Sequence, residues 1–133
     1  MRYGYSADNK RVWKKPDSNP ANEEFCFWGP GEQRMGTYKS TNPGTAGFTV
    51  ASTNVYFGGR LIQTNGSAVL TDRLGSNVTS AKRYFPYGQE KPSATPNNVE
   101  KFTGYFRDSE TGLDYADQRY HNPGTGRFTS ADP

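Results

Sequence analysis

One histidine, one cysteine and a C-terminal Asp-Pro pair are the residues of this chain with the most obvious chemical reach. His121 and Cys26 are each alone, so a Cys–His or Ser–His–Asp hydrolase would have to be built on His121, whose Pro- and Gly-rich surroundings offer little rigid support. A zinc site needs about four N or S ligands, and one Cys with one His does not supply them. Cys26 lies between Phe25 and Phe27 and reads as a small buried hydrophobe. Asp132 could serve aspartyl chemistry only beside a second carboxylate that shares its proton. Lys10, Arg11, Lys14 and Lys15 form a basic cluster, read as a solvated strand face that blunts a sheet edge. Trp13 and Trp28 stand among Tyr3, Tyr5, Phe25 and Phe27, a set that could stack against a sugar ring or fill a core.

These residues must be positioned by a fold with few aliphatic side chains. The 133 residues contain 4 Leu, 1 Ile, 6 Val and 8 Phe, below the roughly 20% at which disorder becomes a live reading. Nine Tyr, 8 Phe and 2 Trp offset this shortage, so any apolar core is one of rings. With 4 Leu and 2 Met a helical bundle is not expected. No apolar run approaches the ~20 residues of a membrane span. The net charge of +3 is too mild to indicate nucleic acid. Met1 is followed by Arg2, Tyr3 and Gly4 and by no apolar leader, so the expectation is either a cytoplasmic chain or a piece of a longer protein, the second being favoured by the motifs below. No cofactor is expected.

Fifteen Gly and 9 Pro cut the chain into pieces of strand length. Strands are expected at Arg2–Ser6, Arg11–Lys14, Glu24–Trp28, Arg34–Lys39, Phe48–Phe57 and Arg60–Thr64, with a further one across Ser76–Tyr87. Asn65-Gly66 predicts a two-residue hairpin turn. Thr41–Gly47 and Gln89–Asn98 read as surface loops. Asp114–Tyr120 tolerates both helix and strand. The expected organisation is a β-hairpin region over 1–88, a linker or surface loop over 89–98 and a C-terminal motif segment over 99–133.

Several segments resemble the RHS (YD-repeat) family and its repeat-associated core, as in bacterial polymorphic toxins and insecticidal toxin-complex C subunits, with the animal teneurins as distant relations. Tyr3-Gly-Tyr-Ser-Ala-Asp8-Asn-Lys-Arg11-Val12 is similar to a YD unit, Tyr56-Phe-Gly-Gly-Arg60-Leu61 to Y-x-G-G-R-L, and Asp72-Arg73-Leu74-Gly75-Ser76 to D-H-L-G-S. Tyr84-Phe85-Pro86-Tyr87-Gly88 resembles Y-D-P-F-G. Phe102-Thr-Gly104, Asp108, Gly112 and Tyr115 fall in the frame F-T-G-x-x-x-D-x-E-T-G-L-x-Y. Arg119-Tyr120-His121-Asn122-Pro123, Gly126-Arg127-Phe128 and Asp132-Pro133 fall in A-R-Y-Y-D-P-x-x-G-R-F-x-S-x-D-P. Pro16–Ala51 is the least family-like part.

The resemblance implies a mainly β fold: an antiparallel, hairpin-rich twisted sheet with a loop or short-helix C-terminal segment. It implies a non-catalytic structural role, in a secreted or cell-surface bacterial shell that encloses or plugs a toxin-like C-terminal cargo. The implied partners are other YD repeats or that cargo. Copies of the chain are expected to associate through open β edges, and a glycan- or protein-binding module is the alternative. In toxin-bearing members the core also resembles an aspartyl autoprotease, and Asp132 sits at the first D-P-x-G aspartate. Its Gly and acidic partner are missing here, and Asn122 replaces a usual Asp, so no proteolysis is expected of this sequence.

Overall fold

The computed structural model describes residues 1–18, 22–40 and 47–132. The chain is mainly β and antiparallel, and it divides into two compact units, Met1–Ala68 and Val69–Pro133. The Pro-rich stretch 89–98 lies inside the second unit. Most of the loop expected at Thr41–Gly47 falls outside the described residues.

The first unit is a sheet whose strand order is its chain order: β1 (Arg2–Tyr5), β2 (Arg11–Lys15), β3 (Glu23–Trp28), β4 (Arg34–Ser40), β5 (Phe48–Phe57), β6 (Arg60–Thr64) and β7 (Ser67–Ala68). Every neighbour is antiparallel, so each contact is a hairpin contact. The β5–β6 turn places Gly58 and Gly59 at φ +56° and +77°, and the β6–β7 turn places Asn65 and Gly66 at +51° and +78°. Two successive left-handed residues give the twist that a two-residue hairpin requires. Strands β1 and β7 form the edges.

Register sorts the side chains into rows. Gly4, Trp13, Phe25, Tyr38 and Val50 lie opposite one another across β1 to β5. The next row is Tyr3, Lys14, Glu24, Lys39 and Thr49. Neighbouring rows alternate faces in a pleated sheet, so an aromatic row and an ionic row run side by side. Gly4 makes room for the indole: a Cβ there would stand 3.1 Å from Trp13 Cε3.

The second unit pairs β8 (Arg83–Tyr84) with β9 (Glu90–Lys91). It also holds a five-stranded sheet of β10 (Val99–Glu100), β11 (Phe106–Arg107), β12 (Asp114–Ala116), β13 (Arg119–Asn122) and β14 (Arg127–Phe128). Asp114–Tyr120, for which helix and strand were both open, is strand, turn, strand, with Asp117 at φ +58° in the turn. Among the described residues of this unit, helical structure is limited to single 3-10 turns at Thr79–Ala81 and Phe102–Gly104.

The strand expected over Ser76–Tyr87 is not formed. Asn77 makes one isolated bridge with Thr71, and only Arg83–Tyr84 is strand. Local side-chain bonds outcompete the ladder: Asp72 Oδ1 accepts from the Leu74 and Ser76 amides, and Asn77 Oδ1 from the Thr79 amide.

Among the described residues, the buried apolar side chains are Cys26, Leu61, Phe106 and Tyr115. Fifteen buried residues are polar or charged. Apart from Phe106 and Tyr115, the described aromatic residues are half-buried or exposed; Phe57 is 80% exposed and Phe48 64%. Both units are therefore held largely by satisfied polar groups, which the low dielectric of an interior strengthens once every partner is present.

Candidate functional sites: an aromatic groove and a buried ion network

On the first unit, Trp13 and Trp28 line one groove of about 510 Å³ together with Phe25, Phe27, Lys10 and Asp8. The β3 bulge between Phe27 and Trp28 turns the Trp28 ring, and its indole N–H donates to the Arg11 carbonyl at 3.0 Å. Lys10 Nζ lies 5.3 Å from the Trp28 ring centroid and 3.3 Å from Glu32 Oε2. Phe27 stands edge-on to Tyr38 at 4.9 Å. Asp8, on the rim, accepts from the Ser6 hydroxyl, a bond that holds its carboxyl below the usual range. The groove thus offers aromatic walls with a cation and a carboxylate at hand.

The basic cluster is not the solvated face the sequence suggested. Lys10, Arg11 and Lys14 are 5%, 1% and 4% exposed. Lys14 Nζ is 3.2 Å from Glu24 Oε2, and Lys39 Nζ is 3.2 Å from Glu24 Oε1, so one carboxylate on β3 bridges cations on β2 and β4. Arg11 lies over Tyr3, 5.4 Å from the ring centroid, and Lys15 pairs with Glu23. Carboxylates on adjacent strands and ring faces replace the lost hydration of these cations.

The second unit carries a longer network. Register places Arg107, Asp114, His121 and Phe128 in one row across β11 to β14. Arg107 donates to both Asp114 oxygens, at 2.7 and 2.9 Å, and to the Gly88 carbonyl at 2.9 Å. His121 Nδ1 is 3.5 Å from Asp114 Oδ2. On the other side Arg107 Nη1 is 3.6 Å from Glu90 Oε2, which pairs with Lys101 Nζ at 2.6 Å. Lys101 and Asp114 are fully buried. Charges alternate in sign along the chain Lys101, Glu90, Arg107, Asp114, so no ion faces a like neighbour alone.

Burial alone would raise the Glu90 carboxyl, but hydrogen bonds from Lys101 and Thr95 outweigh it and hold the group below its ordinary value. For Lys101 burial is the largest influence, and it lowers the ammonium's pKa despite Glu90. Burial, followed by the charge of Glu90, pushes the Tyr84 phenol upward; its hydroxyl donates to the Asn77 carbonyl at 2.9 Å.

The motif residues occupy these elements. Tyr84 is on β8, with Pro86 and Gly88 in the β8–β9 turn, where a Cβ on Gly88 would stand 2.6 Å from the Phe102 ring. Gly104, Gly112 and Gly126 have φ of +79°, +69° and +69°. Asp108 is fully buried, and its carbonyl accepts from the Gly112 amide at 3.0 Å. Tyr115 packs on Tyr120 with centroids 5.5 Å apart. Arg119 lies 3.8 Å from the Phe128 ring centroid and 2.7 Å from Asp132 Oδ1; Arg127 is exposed. The Asp132 side chain is 79% exposed, and the partner found beside it is a cation.

Glu90 and Lys101 were not singled out by the sequence. Gln89–Asn98 read as a surface loop, yet Glu90 is buried because Lys101 and Arg107 supply its counter-charges. The available signal was the mix of both charge signs at Glu90, Lys101, Arg107 and Asp114 in a segment poor in aliphatics. Among the described residues no group of three His, Cys, Asp or Glu side chains is placed to hold a metal ion, and no helix is long and apolar enough to cross a membrane.

Neither a family model nor a curated protein matches the chain. Solved structures do. The TcdB2–TccC3 complex matches over 98% of this chain at 20% identity with a TM-score of 0.54. TcdB2–TccC3–Cdc42 matches over 98% at 18% identity with a TM-score of 0.50. This chain spans 8% and 9% of those chains. The resemblance to RHS/YD-repeat proteins therefore holds at the level of the fold.

Proposed function

We propose that this chain is a non-catalytic segment of a YD-repeat shell, working outside the cell as part of the wall or plug around a toxin-like cargo. The observation that carries this reading is the first unit's sheet, in which strand order equals chain order and each strand meets its neighbour through a hairpin. Such a sheet extends by adding hairpins at either edge, which is how a wall grows. The likeness to toxin-complex structures, of which this chain spans under a tenth, supports the same reading. Electron microscopy of the full gene product that carries this segment tests it. A closed shell with residues 1–132 in its wall or plug is expected; a product without further hairpin repeats overturns it.

Isolated copies should associate, because β1 and β7 are the outer strands of the sheet and an outer strand is a template for a second chain. Size-exclusion chromatography with light scattering is expected to give a dimer or larger species. A single-chain mass with a cooperative melt would show that the segment closes on itself.

The groove at Trp13 and Trp28 favours a second reading, a site for a glycan. Indole faces stack against the C–H face of a sugar, and Asp8 and Lys10 offer polar contacts at the same groove. Saturable binding in a glycan panel, lost in Trp13→Ala or Trp28→Ala, is expected; a flat titration across the panel overturns it.

A further inference from the structure

Lys101 has no exposed surface, and its ammonium touches three oxygens. Glu90 Oε2 lies at 2.6 Å, the Thr95 carbonyl at 2.9 Å and the side-chain oxygen of Asn97 at 2.9 Å. The backbone on both sides is pinned: the Asn98 amide donates to the Arg107 carbonyl at 2.7 Å, and the Lys101 amide to the Tyr105 carbonyl at 2.8 Å. Glu90 is held as well, by the Thr95 amide at 3.2 Å and the Thr95 hydroxyl. An amine, a carboxamide and a carboxylate are thus fixed together, which is the arrangement that lowers the entropic barrier to reaction.

We propose that Lys101 and Asn97 join through an intramolecular isopeptide bond, with Glu90 carrying the proton. Glu90 takes a proton from the Lys101 ammonium, leaving a neutral amine. Nζ attacks the Asn97 side-chain carbonyl carbon, forming the new C–N bond and a tetrahedral centre. The surplus proton on Nζ passes to the carboxamide nitrogen, the tetrahedral oxyanion collapses, and that C–N bond breaks to release ammonia. The ammonia takes the proton held by Glu90 and leaves as ammonium, so the charge of Lys101 departs with it and Glu90 is again a carboxylate. No oxidant or other reactant is consumed.

Burial already weakens the hold of Lys101 on its proton, the usual route by which a lysine becomes a nucleophile. The fold also has a use for a covalent tie. Small domains with slight apolar cores often carry staples, yet Cys26 is the chain's single cysteine. Residues 92–98 contain no large apolar side chain and are anchored through polar contacts, two of them to the Lys101 ammonium.

Intact-mass spectrometry of the purified, denatured protein tests this. The expected mass is that of the sequence less one ammonia. Trypsin should fail to cut after Lys101, giving one peptide over 84–107 that lacks the same ammonia. Lys101→Arg and Asn97→Ala should restore the full sequence mass. Glu90→Gln should do so too while near-ultraviolet circular dichroism reports intact packing; cross-linking of Glu90→Gln at the unaltered rate overturns the role of Glu90. A full-mass protein cut after Lys101, following prolonged incubation at neutral pH, overturns the bond. So does a protein that has lost ammonia yet is still cut there, since that marks a succinimide.

Discussion

Arg107 grips Asp114 through two near-parallel hydrogen bonds, at 2.7 and 2.9 Å, between directly opposed residues of β11 and β12. The side chains are 7% and 0% exposed, so neither charge falls back on bulk water. Planar guanidinium and planar carboxylate match in shape, which Lys cannot reproduce. Removing one member strands the other in a poorly solvated interior. Asp114→Ala or Arg107→Ala should each cost about 3–5 kcal/mol. Urea unfolding of the whole chain checks this; a loss below about 1 kcal/mol would show that water or a neighbour replaces the partner.

Acid should loosen the second unit through Glu90. Its carboxyl is held below the ordinary 4.5 in the folded state. Between the folded and unfolded values the unfolded chain binds more protons, so stability rises with pH across that window. The contribution is complete above pH 4.5 and disappears as pH falls through the lower folded value. Thermal melts carried downward from about pH 5 through the carboxylate range should show stability falling once the pH drops below 4.5. Glu90→Gln should flatten that slope while lowering stability at neutral pH.

Two glycines with left-handed backbones should respond differently to alanine. At Gly112, φ is +69° and no atom lies within 4 Å of a new Cβ, so Gly112→Ala should cost about 1–2 kcal/mol from backbone strain alone. At Gly88, φ is +91° and the new Cβ would meet the Phe102 ring at 2.6 Å. Gly88→Ala should therefore cost more than Gly112→Ala, and denaturant midpoints of the two variants compare them directly. Equal costs would mean that the Phe102 ring moves aside freely.

The two cations that Glu24 bridges are unequal. Lys14 is 5% exposed and Lys39 is 45% exposed at the side chain. Lys39→Ala should change stability by about 0–1 kcal/mol, as exposed pairs do. Glu24→Ala should cost several times more, because it leaves the buried Lys14 ammonium without its carboxylate. A double-mutant cycle between Lys14 and Glu24 isolates the pair; a coupling near zero would show that Tyr3 or water carries the Lys14 charge.

Much of the strand pattern of the first unit is legible in the residues. β2, β3 and β4 fall within one residue of the expected bounds at each end, and β5 and β6 match them. The Gly and Asn-Gly punctuation is local chemistry: Asn65-Gly66 needs nothing distant to adopt its turn. Ser76–Tyr87 differs from the expected strand because β propensity favours residues that fit a ladder, while here Asp72 and Asn77 capture the backbone first.

Turn chemistry and composition act over a few residues, and they suffice to make this protein β, hairpin-built and short of aliphatic core. It also marked Trp13 and Trp28, but their shared groove depends on the pairing of β2 with β3 and on the bulge before Trp28. Tertiary structure alone decided which charges are buried. Lys14 meets Glu24, and Arg107 meets Asp114, because pairing register sets them opposite one another. Lys101 meets Glu90 across eleven residues of chain. A buried charge is stable only beside its counter-charge, and the neighbours that satisfy it are chosen by strand register and chain return, which no local pattern encodes.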